Sequence, residues 1–139
     1  MRVFRSLLFY ALFYSATALF VIASVVSMYT LPIERFRQVP NAWSAFHRWC
    51  VVHILGIAVH VVGPRQTGPA LYALKHESYF DAIDLGVLFE DPVPFAKEEL
   101  FRIPGWGRAA RAYGGIPVMR SAGAKGLRAM WEDAHRFIG

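Results

Sequence analysis

From Ser6 to Leu31 the chain runs 26 positions without a charged residue. A helix of that length reaches roughly 39 Å at about 1.5 Å per residue, more than the ~30 Å hydrocarbon core of a bilayer. Leu7, Leu8, Phe9, Leu12, Phe13, Leu19, Phe20, Val21, Ile22, Val25 and Val26 make it apolar on all faces, which argues against a helix of a soluble core. A cleaved signal peptide fits less well, because its apolar part runs only about 7–15 residues. Arg2 and Arg5 precede the run, and Glu34, Arg35 and Arg37 follow it.

Pro32 ends this segment. The polar stretch to Asn41, with a second proline at Pro40, reads as a connection. A second apolar stretch opens at Trp43 and carries Phe46, Trp49, Cys50, Val51, Val52, Ile54, Leu55 and Ile57, interrupted by Arg48. It is an amphipathic helix and a poor isolated span. Residues 1–56 are therefore expected to form a hydrophobic two-helix membrane segment, either a spanning hairpin or a pair lying in one leaflet. Lys and Arg lie on both sides of the first helix and do not choose between the two.

From residue 57 the pattern changes. Short apolar runs at Ile57–Val62, Ala70–Leu74, Val93–Ala96 and Ile116–Met119 read as strands, bounded by Gly63-Pro64, Gly68-Pro69, Pro92 and Gly114-Gly115. Between and after them, helices are expected over roughly Tyr79–Phe89, Trp106–Tyr113 and from about Ala122 onward. The last carries Leu127, Met130, Trp131, Ala134, Phe137 and Ile138 on one face. Alternating strands and helices predict an α/β class, with the two-helix segment followed by the first part of a largely parallel sheet with flanking helices. Residues 57–139 would be that domain. It is expected to be incomplete at its C-terminus, since the chain stops on a helix whose apolar face needs a sheet to cover.

Composition narrows the function. The 139 residues hold 15 Lys and Arg against 10 Asp and Glu, a formal net charge of +5, and a single cysteine, Cys50. That excludes a disulfide-stapled module and a zinc ribbon. A basic balance suits nucleic acid, an anionic membrane surface or a phosphorylated substrate. The hydrophobic anchor argues against nucleic acid.

The chemistry-bearing residues lie between Lys75 and Arg120. His76-Glu-Ser-Tyr-Phe-Asp81 follows an expected strand and opens an expected helix. Ser78 suits the N-cap, and Asp81 three residues later completes a capping box. Capping explains Ser78 and Asp81 but not His76, which stands past a strand's C-terminal end, where open α/β sheets bind ligands. A histidine with a nearby carboxylate is a minimal general base. The imidazole takes a proton, and the carboxylate fixes its tautomer and stabilises the imidazolium. Downstream, from Lys97 onward, eight Lys and Arg face four Asp and Glu. Arg120 ends an expected strand, and Ser121 can cap the next helix. An arginine beside a helix N-terminus makes a sound phosphate site, although a solvated basic face gives the same pattern.

These residues resemble the glycerolipid acyltransferases, most closely the bacterial 1-acylglycerol-3-phosphate acyltransferases. The family's first block, N-H-x-S-x-x-D, reads Lys75-His76-Glu77-Ser78-Tyr79-Phe80-Asp81, with lysine in place of the leading asparagine. Its second block is similar at Lys97, Glu99, Leu100, Pro104 and Gly107, then at Gly114, Ile116, Val118 and Arg120. The third block, F-P-E-G-T-R, is absent, so the resemblance implies an N-terminal fragment. It also implies His76 as general base supported by Asp81, substrate contacts from Ser78, Lys97, Glu99, Gly115 and Arg120, and no metal or cofactor. The co-substrate would be a thioester of acyl carrier protein or coenzyme A, the acceptor lysophosphatidic acid, and the product phosphatidic acid. The implied location is the bacterial inner membrane, with the catalytic domain on the cytoplasmic side. Two rival readings fit the same residues: a non-catalytic membrane-anchored lipid-binding module, and an acyltransferase using another acceptor such as glycerol-3-phosphate.

Other residues were weighed for chemistry. His47, Cys50 and His53 recur every three positions, but their apolar setting and the lack of a fourth ligand favour helix packing over metal. His60 reads as structural. Gly105 and Gly107 flank Trp106 without a G-x-G-x-x-G pattern, so no dinucleotide site is expected. Trp43, Trp49 and Trp106 suit either interfacial anchoring or core packing.

Overall fold

The structure, a computed structural model, describes residues 2–64, 68 and 70–135, and the side chain of Arg120 lies outside that description. Helix α1 runs Arg2–Thr30 and is long and apolar enough to cross a membrane by length and composition. It turns Phe13, Ser24 and Ser27 inward and leaves Val3, Phe4, Leu7, Leu19, Ile22 and Val26 exposed.

Helix α2, Ile33–Trp49, runs back along α1 and continues as a π-helical segment over Cys50–Leu55, closed by Gly56 at φ 71°. Early residues of α1 meet late residues of α2. Arg5 Nε donates to the Ile54 carbonyl, and Trp43 Nε1 donates to Thr17 Oγ1 at 3.0 Å. The Phe13 ring lies 4.7 Å from His47 and 6.0 Å from Trp43. The two helices therefore form an antiparallel hairpin.

The stretch read as a connection, residues 33–41, is helical instead. The Pro32 carbonyl accepts the N–H groups of Arg35 (3.1 Å) and Phe36 (2.9 Å), which starts the helix at once. Pro40 sits inside it and gives up one intrahelical bond. What outweighs that loss is the buried face: Phe36, Ser44 and His47 recur at helical spacing against the rest of the protein.

Downstream come α3 (Tyr79–Ile83), α4 (Leu85–Leu88), β1 (Phe95–Lys97), a 3-10 turn (Glu98–Arg102), α5 (Trp106–Tyr113), β2 (Ile116–Val118), a second 3-10 turn (Arg120–Ala122) and α6 (Gly123–His135). The two strands pair in parallel with Phe95 opposite Ile116 and Lys97 opposite Val118, and α5 makes the crossover. The result is a mostly helical α/β chain, with a long apolar N-terminal helix and a small parallel two-stranded sheet with flanking helices.

Two expected strands do not form. Ile57–Val62 and Ala70–Leu74 have no ladder partner among the described residues, and Val61, Val62, Leu71 and Leu74 are exposed. Strand preference is realised only against a neighbouring strand, so β-branched composition alone does not make one. The expected helix over Tyr79–Phe89 is two short helices that meet at Asp84. Of the expected features, Pro69, Phe137 and Ile138 lie outside the described residues.

The core gathers where α1, α2 and α5 meet. Phe36, only 1 % exposed, packs with Ala109 and Tyr113, backed by Met28 and Ala112. Polar links lock the same junction. Arg37 donates twice to the Tyr113 carbonyl (3.0 and 2.8 Å) and pairs with Asp91 at 3.2 Å. The Tyr113 hydroxyl donates to Asn41 Oδ1 at 2.6 Å. Gly107 explains its own place in the second block: a Cβ there would lie 2.0 Å from the Phe101 carbonyl oxygen.

Candidate active site

The first block folds as its capping chemistry dictates. Asp81 Oδ2 accepts the N–H groups of Glu77 and Ser78, each at 2.7 Å, and Ser78 Oγ accepts from Phe80 N–H at 3.2 Å. Asp81 thus turns back over the chain that enters α3, and His76 lies on that chain. The His76 Nδ1 stands 3.6 Å from Asp81 Oδ2, with the histidine side chain 65 % exposed and the carboxylate 29 % exposed. The backbone N–H groups of Ser78 and Glu77, and then His76, hold the Asp81 carboxyl below its ordinary pKa. An ionised Asp81 beside Nδ1 favours the ring tautomer that leaves Nε2 open as a proton acceptor.

Lys75, where the family block carries asparagine, pairs with Glu77, and both side chains are exposed. That ion pair turns the lysine away from Asp81, whose acceptor oxygen is taken by the two backbone donors.

The second-block residues sit elsewhere on the fold. Lys97 is exposed at the C-terminal end of β1. Glu99 lies in the 3-10 turn that follows. Gly115 lies just before β2, and Arg120 two residues beyond its end. Lys97 and the Arg120 backbone thus share the C-terminal edge of the parallel pair. Among the described residues, no hydrogen bond or ion pair joins Lys97 or Glu99 to His76 or Asp81.

A cavity of about 160 Å³ lies between α1, α2, the α3–α4 turn, β1 and α5. Its wall is mainly apolar and includes Phe20, Trp43, Ile83, Phe101, Trp106 and Gly115. Ala82 and Ile83, the residues directly after Asp81, form part of that wall.

With the geometry set, one comparison decides the class. A family model described as Acyltransferase matches residues 56–136. The chain belongs to the acyltransferase family. No curated protein and no solved structure matches it. Membership implies an acyl donor and a lipid acceptor as substrates.

The sequence pattern missed what lies beneath the acyltransferase's His76–Asp81 pair. Arg48 forks onto Asp84, with Nε 2.7 Å from Oδ1 and Nη2 bonded to Oδ2. The His47 ring lies 5.6 Å from that of Phe80. The signal was an arginine within an apolar stretch, which must find a partner when the helix packs. Its partner, 36 residues away, could not be read from local spacing.

Proposed function

We propose that this acyltransferase moves a fatty acyl group from a thioester of acyl carrier protein or coenzyme A to the free hydroxyl of 1-acylglycerol-3-phosphate, giving phosphatidic acid. The observation that carries the reading is the His76–Asp81 pair, 3.6 Å apart on the exposed chain entering α3. His76 takes the proton of the acceptor hydroxyl on Nε2. The alkoxide oxygen attacks the thioester carbonyl carbon, the C–S bond breaks, and the departing thiolate takes the proton back from the imidazolium. Asp81 holds the ring in register and stabilises its charged form.

Lys97 and Arg120 supply positive charge at the sheet's C-terminal edge for the acceptor phosphate, with Ser78, Glu99 and Gly115 lining the approach. The apolar cavity behind α3 suits a hydrocarbon chain. The hairpin keeps the site at the lipid surface. From Arg5, bonded to Ile54, to Tyr29, bonded by Arg108, helix α1 lies against elements that carry Arg37, Arg48, Arg108 and Arg111. Crossing the bilayer would take those cations into hydrocarbon, so α1 lies in the cytoplasmic leaflet of a bacterial inner membrane.

The test is thiol release from an acyl thioester with lysophosphatidate in detergent micelles. His76→Ala should lower the rate by about 10²–10⁴-fold, the usual contribution of a positioned base, and leave vesicle binding intact. Near-normal turnover by that variant, or none by the unaltered chain, refutes the reading.

A further inference from the structure

We propose that Arg48 is a positioning residue, whose fork on Asp84 seats α3 and so holds the His76–Asp81 pair in place. The inference rests on the reading of His76 as general base and extends it to a residue outside both sequence blocks.

Helix α3 is five residues long, and residues 57–78 that lead into it form no helix or strand among those described. A helix that short does not persist alone in water. The capping box orders its first turn locally but does not fix where that turn sits. Docking on α2 does. The contacts run in order along the two antiparallel segments. The Phe80 ring meets His47, the Asp84 carboxylate meets Arg48, and Gly86 lies so close to α2 that a Cβ would sit 2.8 Å from Asn41 Oδ1.

Asp84 is the hinge point of this docking. Its N–H donates to the Phe80 carbonyl at 2.9 Å, and its own carbonyl accepts from Val87 (2.9 Å) and Leu88 (3.0 Å). It therefore closes α3 and opens α4, while its side chain, 1 % exposed, reaches Arg48, 21 % exposed. Asp81 stands one helical turn earlier.

Stability alone does not call for a charge pair here. A buried pair loses much of its Coulomb gain to desolvation, and apolar residues of similar volume commonly replace one without loss. What a planar guanidinium fork adds is direction, because two parallel bonds fix the carboxylate's position and angle together. Sliding α3 along α2 would break both bonds and leave the Asp84 carboxylate buried and unpaired.

The test uses the full chain in detergent micelles with ¹⁵N-labelled histidine. The His76 signals are identified among the five histidines by their loss in His76→Gln. In the unaltered chain at a pH where the ring is neutral, the proton is expected mainly on Nδ1, facing Asp81. Arg48→Met/Asp84→Leu removes both charges, keeps the volume and so preserves the fold. Its ratio of Nδ1–H to Nε2–H tautomer at His76 should fall by about threefold or more. Arg48→Lys keeps the charge without the fork and should fall between the two. An unchanged ratio in the folded double variant, or in Arg48→Lys, overturns the proposal. The tautomer readout needs no turnover, so failure here is distinct from failure of the His76 mechanism, which only the activity of His76→Ala reports.

Discussion

Alkaline pH should loosen the junction between α2 and α5 through one phenol. Tyr113 is buried at that junction and donates its hydroxyl to Asn41. Burial pushes its pKa up to about 12; the nearby Arg37 pulls the other way, and Asp91 adds a smaller upward push. The folded state therefore binds this proton more tightly than the unfolded chain, whose tyrosine titrates near 10. The sign follows: the contribution is fully present below about pH 10 and is lost as pH rises through about 12. Two units correspond to at most about 2.7 kcal/mol, and partial solvent access reduces that to about 1–2 kcal/mol. For a chain of this size that is a shift of about 3–10 °C in Tm. Tyr113→Phe removes the titration. At pH 8 it should be less stable by about 0.5–1.5 kcal/mol for the lost hydrogen bond. Thermal unfolding followed by near-ultraviolet circular dichroism, at steps between about pH 8 and pH 12, should show the two Tm curves converging as the native phenol ionises. Parallel curves over that range would refute the argument, because other tyrosines and lysines titrate equally in both proteins.

Gly107→Ala should fail to reach the native state, or lose about 1–3 kcal/mol or more, because the obstacle to its Cβ is the Phe101 carbonyl and not a movable side chain; the yield and Tm of folded protein check this. Leu7→Glu/Leu19→Glu places two charges on the exposed face of α1 and should sharply reduce flotation with anionic vesicles, while Arg37 and Tyr113 still pair in the folded chain. Arg120→Ala should weaken a phosphorylated acceptor by about 1.5–3 kcal/mol, the range for hydrogen bonds to charged groups, and the thioester much less. Equal losses for both substrates, read as KM values, would assign Arg120 a structural role.

Those parts of the fold governed by neighbouring residues were legible in the sequence. The 26 uncharged positions became α1, and the Ser78–Asp81 box capped α3 as its spacing required. Pro104 and Gly114 bracketed α5, and the two strands on either side paired in parallel. What could not be read depended on distant partners. Residues 33–41 are helical because Phe36 finds Ala109 and Tyr113 more than 70 positions downstream, which outweighs Pro40. Ile57–Val62 carries the composition of a strand and has no strand beside it. The candidate site divides the same way. The His76–Asp81 approach came from local capping, whereas the Arg48–Asp84 seat beneath it needed two segments brought together in space.

The lock between Arg37 and the Tyr113 carbonyl spans 76 residues, and that separation sets a timetable for synthesis. At about 5–20 residues per second, roughly 4–15 s pass between the making of Arg37 and the making of its partner. Throughout that interval the hairpin has left the ribosome with its apolar side uncovered and its guanidinium unanswered. A lipid surface offers both an apolar layer and anionic headgroups, so it can shelter the emerging hairpin before Phe36 has Ala109 or Tyr113 to pack against. The order of the chain thus favours attachment first and closure of the domain second, with the bilayer acting as the folding platform for the segment that later carries the catalytic half.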